Sequence, residues 1–134
     1  TIQYRKVSQK YEQKEFFVGG WFRFNPGDKK KSRDKIRELL KRRVKEQPLN
    51  KPNSGSVFRN PEGNFAAQLI ENSGLKGLHR GAALVSDKHA NFIINTGGAT
   101  AKNIEDLILE VQEVVELNSG VKLKREVHIM GDHC

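Results

Sequence analysis

The sequence predicts an α+β fold, and three observations carry that prediction. Residues 101–118 place Ile104, Leu107, Ile108, Val111, Val114 and Val115 at helical spacing, the strongest periodic signal in the chain. Residues 121–130 alternate instead, with Val121, Leu123, Val127 and Ile129 pointing one way and Lys122, Lys124, Glu126, His128 and Met130 the other, as in a strand. From residue 47 onward the predicted order is (β)-α-β-β-α-β, which belongs to the α+β class.

Each element has its own justification. Residues 15–24 are aromatic-rich and read as a strand, weakened at Gly19-Gly20 and terminated by the turn Asn25-Pro26-Gly27-Asp28. A helix follows over about 32–46, with Ser32 as its N-cap, Ile36, Leu39, Leu40 and Val44 as one apolar stripe, and Pro48 as its stop. Residues 47–63 hold three of the four prolines around a cluster of small residues, so they read as loop with one short strand at 56–59. A short helix over 64–72 takes Asn64 as its cap, uses apolar residues at 65, 66, 69 and 70, and ends before Gly74. Strands are expected at 82–85 and 91–95. Thr100 caps the helix at 101–118, and Gly120 ends it.

The 134 residues suggest one domain of ordinary size. Lys and Arg number 24 against 16 Asp and Glu, a formal net charge of +8. That excess is local: residues 1–47 hold 15 basic and 6 acidic residues, whereas 48–134 hold 9 and 10. The charge therefore describes a solvated face of one strand–turn–helix segment, not the whole domain. No apolar run approaches the roughly 18 residues that span a bilayer, so no membrane protein is expected. A single cysteine, Cys134, excludes a disulfide scaffold and a cysteine-based zinc site, and the N-terminus lacks the apolar stretch of a signal peptide.

Most chemical constellations are absent. Gly97-Gly98 lacks the lysine and glycine spacing of a phosphate loop, and Gly74, Gly77 and Gly81 do not match a dinucleotide fingerprint. The four histidines are scattered, so no metal site is expected. Ser86 and His89 are neighbours in a turn and read as local caps. Two features remain. In the segment 52–61 (PNSGSVFRNP), Gly55 lets a ligand approach the backbone, Ser56 offers a hydroxyl, and Asn60 offers both donor and acceptor. Glu126 sits between Lys124 and His128 on the polar face of the last predicted strand. From residue types alone, the first also reads as an irregular loop fixed by prolines, and the second as a solvated charge or cross-strand pair.

These features lie inside a longer pattern. The stretches 47–60 (QPLNKPNSGSVFRN), 69–77 (LIENSGLKG), 85–95 (VSDKHANFIIN) and 125–131 (REVHIMG), in one register, closely resemble the C-terminal part of the MurB family of UDP-N-acetylenolpyruvoylglucosamine reductases. Upstream, Tyr4-Arg5 followed by Ser8 is similar to the family's Tyr-Arg-x-Ser, with one extra residue, and His128 stands where the pattern usually has Arg. The resemblance implies a flavoenzyme of peptidoglycan synthesis in the cytoplasm. In it NADPH reduces FAD, and the flavin reduces UDP-N-acetylglucosamine enolpyruvate to UDP-N-acetylmuramate. The family's proton donor maps onto Ser56, and its stabilisers of the developing enolate map onto Arg5 and Glu126. Tyr4 and Asn60 map near the substrate. Residues contacting the flavin are not assigned.

On the same resemblance, residues 1–46 close an FAD-binding domain, 47–125 form the substrate-binding domain, and 126–134 return toward the N-terminal lobe. The fold expected is a small antiparallel sheet with helices. Most flavin contacts would precede residue 1, so the piece alone is expected to be inactive, with an aromatic edge at 16–24 open to self-association. Two rival readings are a basic module in which residues 29–45 engage nucleic acid or an acidic partner, and a non-catalytic domain that binds the UDP-sugar.

Overall fold

The computed structural model describes Ile2–Gln3 and Lys6–Val7 by their backbone, and residues 18–131 in full. Ile2–Gln3 (β1) and Lys6–Val7 (β2) form an antiparallel two-stranded ribbon. Tyr4, Arg5, Ser8, residues 15–17 of the predicted aromatic strand, and Cys134 lie outside the described residues.

Residues 18–24 are not a strand. Trp21, Phe22 and Phe24 stand in solvent, and their backbone pairs with no strand among the described residues. Aromatic composition favours a pleated, half-buried surface, but it becomes a strand only against a partner. The helix that follows, Lys29–Glu46 (α1), starts a turn before the residue expected to cap it. Asp28, in an extended conformation, accepts the Lys31 N–H on Oδ1 at 2.8 Å, so Ser32 lies inside the helix. A carboxylate satisfies an orphan N–H and also complements the positive helix end, and a hydroxyl one turn later does less. Gln47 turns extended and Pro48 is buried against the body, as the stop signal required. No residue of α1 is buried, its apolar stripe included.

From there the chain packs around one core. Asn53–Ser56 (β3), His79–Arg80 (β4), Ala83–Val85 (β5) and Phe92–Asn95 (β6) make an antiparallel sheet in the order β3-β6-β5-β4. The two helices are Ala66–Asn72 (α2) and Ala101–Ser119 (α3). α3 packs on β4 and β5, and α2 packs on α3. The seam consists of Leu107, Ile108, Val111 and Val115 against Ala83, Val85, Ile93, Leu69 and Ile70, all buried. Burying each large aliphatic side chain there stabilises the fold by about 1.5–3 kcal/mol before entropy is subtracted. Phe92, Ile93 and Ile94 are buried in succession, so both faces of the central strand are covered.

α3 begins on a capping box: Thr100 Oγ1 accepts the Asn103 N–H and Asn103 Oδ1 accepts the Thr100 N–H, both at 3.1 Å. Gly120 closes it in the left-handed conformation, as expected. Three boundaries differ from the sequence reading. The first strand after the linker is 53–56, not 56–59. Asn64 does not cap α2, because Phe65 occupies the cap position and the Ala66 N–H is taken by Asn60 Oδ1 at 3.1 Å. The strand β4 was not foreseen, since its two exposed polar residues carry no period.

The largest difference is at 121–130, which alternates in sequence but forms no ladder. Arg125 makes a single bridge to Phe58, flanked by Arg59 N–H to Lys124 C=O at 2.9 Å and Glu126 N–H to Val57 C=O at 2.8 Å. Two steps beyond, Pro61 has no N–H to give, and the pairing ends. Leu123 stays buried, but Ile129 and Met130 are exposed.

Candidate functional site

The site begins at a bulge. Asn53 pairs with Ile94 and Ser56 with Phe92, so three steps on β3 answer two on β6. The extra residue falls at Ser54-Gly55, where Gly55 adopts φ 84°. Asn53 holds the distortion: its Oδ1 accepts the Gly55 N–H at 2.9 Å and its Nδ2 donates to the carbonyls of Pro48 and Lys51. Nothing lies within 4 Å of where a Gly55 Cβ would stand, so the backbone there is open to an approaching group. A bulge re-aims the next side chain, and that side chain is Ser56, half-buried, with no hydrogen-bond partner for its hydroxyl among the described residues.

Past Ser56 the chain is held rigidly. Asn91, 4% exposed, accepts the Phe58 N–H on Oδ1 at 2.9 Å and donates Nδ2 to the Phe58 carbonyl at 2.8 Å. One side-chain amide thus replaces a strand neighbour. The Val57 N–H goes to the Asn91 carbonyl at 2.9 Å. On its other edge, Val57 C=O receives the Glu126 N–H, which fixes Glu126 one residue from Ser56. The Glu126 carboxylate forms an ion pair, Oε2 to Arg59 Nε, at 2.8 Å, with both side chains about one-third exposed. Asn60 is exposed, and its amide oxygen is committed to the start of α2, which leaves the amide NH₂ for a ligand.

Of the five residues singled out, Ser56 and Asn60 lie on the segment whose Val57 carbonyl holds the Glu126 N–H, while Tyr4 and Arg5 lie outside the described residues. Arg59 and Asn91 were missed. Arg59 stood inside the noted loop, but its partner is remote in sequence and no spacing rule connects them. Asn91 looked like the polar start of an apolar strand.

A groove of about 550 Å³ runs beside this segment, not through it. It lies between β3, β6, the first half of α3 and the segment 127–130, and its apolar walls include Ile93, Ile104, Ile108 and Ile129. Glu105 and His128 are its ionisable lining. None of Ser56, Arg59, Asn60 or Glu126 lines it. Among the described residues no cluster of three metal-ligating side chains occurs, and no helix is long and apolar enough to cross a membrane.

Comparison with known proteins gives a consistent result. The family described as "UDP-N-acetylenolpyruvoylglucosamine reductase, C-terminal domain" matches residues 47–130. Proteins named UDP-N-acetylenolpyruvoylglucosamine reductase from Thiobacillus denitrificans and Coxiella burnetii (strain Dugway 5J108-111) are 57% and 52% identical to it over 129 and 130 residues. These matches cover 96% and 97% of this chain and 40% of each relative, so the chain spans about two-fifths of their length. The crystal structure of UDP-N-acetylenolpyruvylglucosamine reductase (MurB) from Thermus caldophilus superposes with a TM-score of 0.65 at 36% identity, over 75% of this chain and 35% of that one.

Proposed function

The chain belongs to the UDP-N-acetylenolpyruvoylglucosamine reductase C-terminal domain family, and from that premise we propose that it is the substrate-handling, proton-donating part of a flavin-dependent reductase. In this reading the complete enzyme reduces UDP-N-acetylglucosamine enolpyruvate to UDP-N-acetylmuramate for peptidoglycan synthesis, in the cytoplasm, with NADPH as the reductant. Ser56 delivers a proton to the substrate carbon. Glu126 and Arg5 stabilise the enolate that precedes that delivery, and Tyr4 and Asn60 contact the substrate.

One observation carries the reading. The Glu126 N–H to Val57 C=O bond joins the two ends of the domain so that the backbone bearing Glu126 is one residue from Ser56. A serine hydroxyl is a weak acid, and it donates a proton usefully only where neighbouring charges and dipoles are fixed in place. The Gly55 bulge and the Asn91 clamp supply that fixation.

FAD carries a pyrophosphate, a group held by basic side chains, glycine-rich turns or open helix N-termini. The groove's ionisable lining is Glu105 and His128, and the α3 N-terminus at its edge is closed by its own capping box. The groove therefore does not fit a flavin, and we assign most contacts to FAD and NADPH to the rest of the reductase. The family match begins at Gln47, which supports placing the substrate domain at 47–125 with 126–134 returning to a neighbouring lobe. The wholly exposed α1 and aromatic segment support placing 1–46 in the flavin-binding domain.

Ser56→Ala tests the reading in the complete polypeptide whose reading frame contains this chain. Turnover should fall by about 10²–10⁴-fold, the usual contribution of a positioned proton donor, while binding of the UDP-sugar measured by calorimetry persists. Undiminished turnover would remove Ser56 as the proton donor.

A further inference from the structure

We propose that Arg59 is a positioning residue of this site, holding the Glu126 carboxylate at the orientation it needs beside Ser56. The proposal rests on the catalytic reading of Glu126 and adds to it a residue that this reading does not include.

Three features of the geometry carry it. The first is the frame. Arg59 and Glu126 lie on the two sides of the Phe58–Arg125 bridge, and each contributes a backbone N–H to it: Arg59 to Lys124 C=O and Glu126 to Val57 C=O. With Asn91 clamping Phe58 from the opposite edge, the two backbones cannot slide against each other without breaking buried hydrogen bonds. The second is the ion pair. Arg59 Nε meets Glu126 Oε2 at 2.8 Å, with the two side chains 34% and 31% exposed.

The third feature is what the pair connects: Arg80–Glu110 also joins remote segments, but away from Ser56, and Lys76–Glu71 and Lys122–Glu116 join residues close in sequence. Lys35–Glu38, Arg37–Asp34, Arg42–Glu46 and Lys102–Asp106 each join neighbours within one helix at largely exposed side chains, where such pairs contribute little. Arg59–Glu126 instead ties the loop that carries Ser56 to the far end of the chain. Glu126 sits in an extended segment with no strand continuing beyond the bridge, so its backbone alone does not determine where its carboxylate points. The Arg59 guanidinium, always charged and in ion contact with that carboxylate, restrains it. Lysine would keep the charge, but its ammonium is a point on a flexible stem and would hold the carboxylate less narrowly.

The test is a double-mutant cycle on turnover in the complete flavin-loaded polypeptide, with Arg59→Gln, Glu126→Gln, the double variant and Arg59→Lys. Arg59→Gln should lower kcat by about 10–100-fold, the cost of a misplaced group, with KM within about threefold because substrate binding is not its role. On the Glu126→Gln background the same change should cost less than about twofold more, since there is no carboxylate left to aim. Arg59→Lys should fall between wild type and Arg59→Gln, and it carries the comparison if the glutamine variant does not fold. Equal losses on both backgrounds, or a raised KM at unchanged kcat, would overturn the positioning role while leaving Glu126 in place. An unchanged kcat for Glu126→Gln would remove the catalytic reading of Glu126 and the role of Arg59 with it.

Discussion

His89 is half-buried, with its ring edge-on to Phe92 at 4.8 Å between centroids and its Nδ1 accepting the Asn91 N–H at 3.3 Å. Burial penalises the charged imidazolium and pulls its pKa below the ordinary 6.5; its own backbone hydrogen bond and Glu46 oppose that, and Lys76 adds to it. A depressed folded-state pKa means that the unfolded chain binds the proton more readily. Its contribution to stability is therefore fully present above about pH 6.5 and is lost as pH falls through the folded value. Wild type should lose more stability than His89→Gln between pH 7.5 and pH 5, read as the shift in urea midpoint; equal losses would mean that His89 does not sense pH. The placement matters because the turn holding His89 leads into Asn91, and Asn91 holds the segment next to Ser56.

At the scale of elements, the glycines divide by what surrounds them. Gly74 and Gly81 both end or turn an element at positive φ, 72° and 52°. A Cβ at Gly74 meets open space, whereas one at Gly81 would lie 2.6 Å from Asn103 Oδ1. Asn103 is half of the α3 capping box, so Gly81→Ala adds displacement of a cap to the left-handed strain. Gly74→Ala should cost about 1 kcal/mol from conformation alone, and Gly81→Ala about 2–3 kcal/mol once the cap is disturbed. Chemical denaturation of the two variants checks the order, and the reverse order would mean that Asn103 relaxes without leaving Thr100. α1 obeys a different economy: its helix is set by the Asp28 cap and by pairs within it, and the Lys88 ammonium reaches across to the Val44 carbonyl at 2.7 Å.

At the scale of the molecule, the core among the described residues lies from Val57 onward, while residues 18–46 are all exposed. Val18, Trp21, Phe22 and Phe24 are exposed, as are Ile36, Leu39, Leu40 and Val44. Apolar side chains in that number over one stretch, next to a basic helix, are unusual for a surface that stays bare. The 134-residue chain alone should self-associate as its concentration rises. Trp21→Ser combined with Phe24→Ser should shift its sedimentation toward the monomer, and a chain monomeric at high concentration would contradict this.

The sequence by itself determined the α+β class, the long helix read at 101–118 with both its caps, the two central strands and the family. Those properties are local or repeat along the chain: period, capping chemistry, turn glycines, and a motif running in one register. The tertiary structure alone decided whether an alternating or aromatic run becomes a strand, because a strand exists only where a partner's hydrogen bonds are within reach. Residues 18–24 had the pattern but pair with no strand among the described residues, and 121–130 had it but met only the single bridge at Arg125. It also decided the site's fine geometry. Nothing in the spacing of the residues signals that Asn91 meets Phe58 or that Arg59 meets Glu126, since contacts between remote segments follow from packing and not from period. Ser56 and Glu126 were legible as chemistry through their resemblance to a family; the Asn91 clamp and the Arg59 ion pair that hold them emerged only when the chain closed on itself.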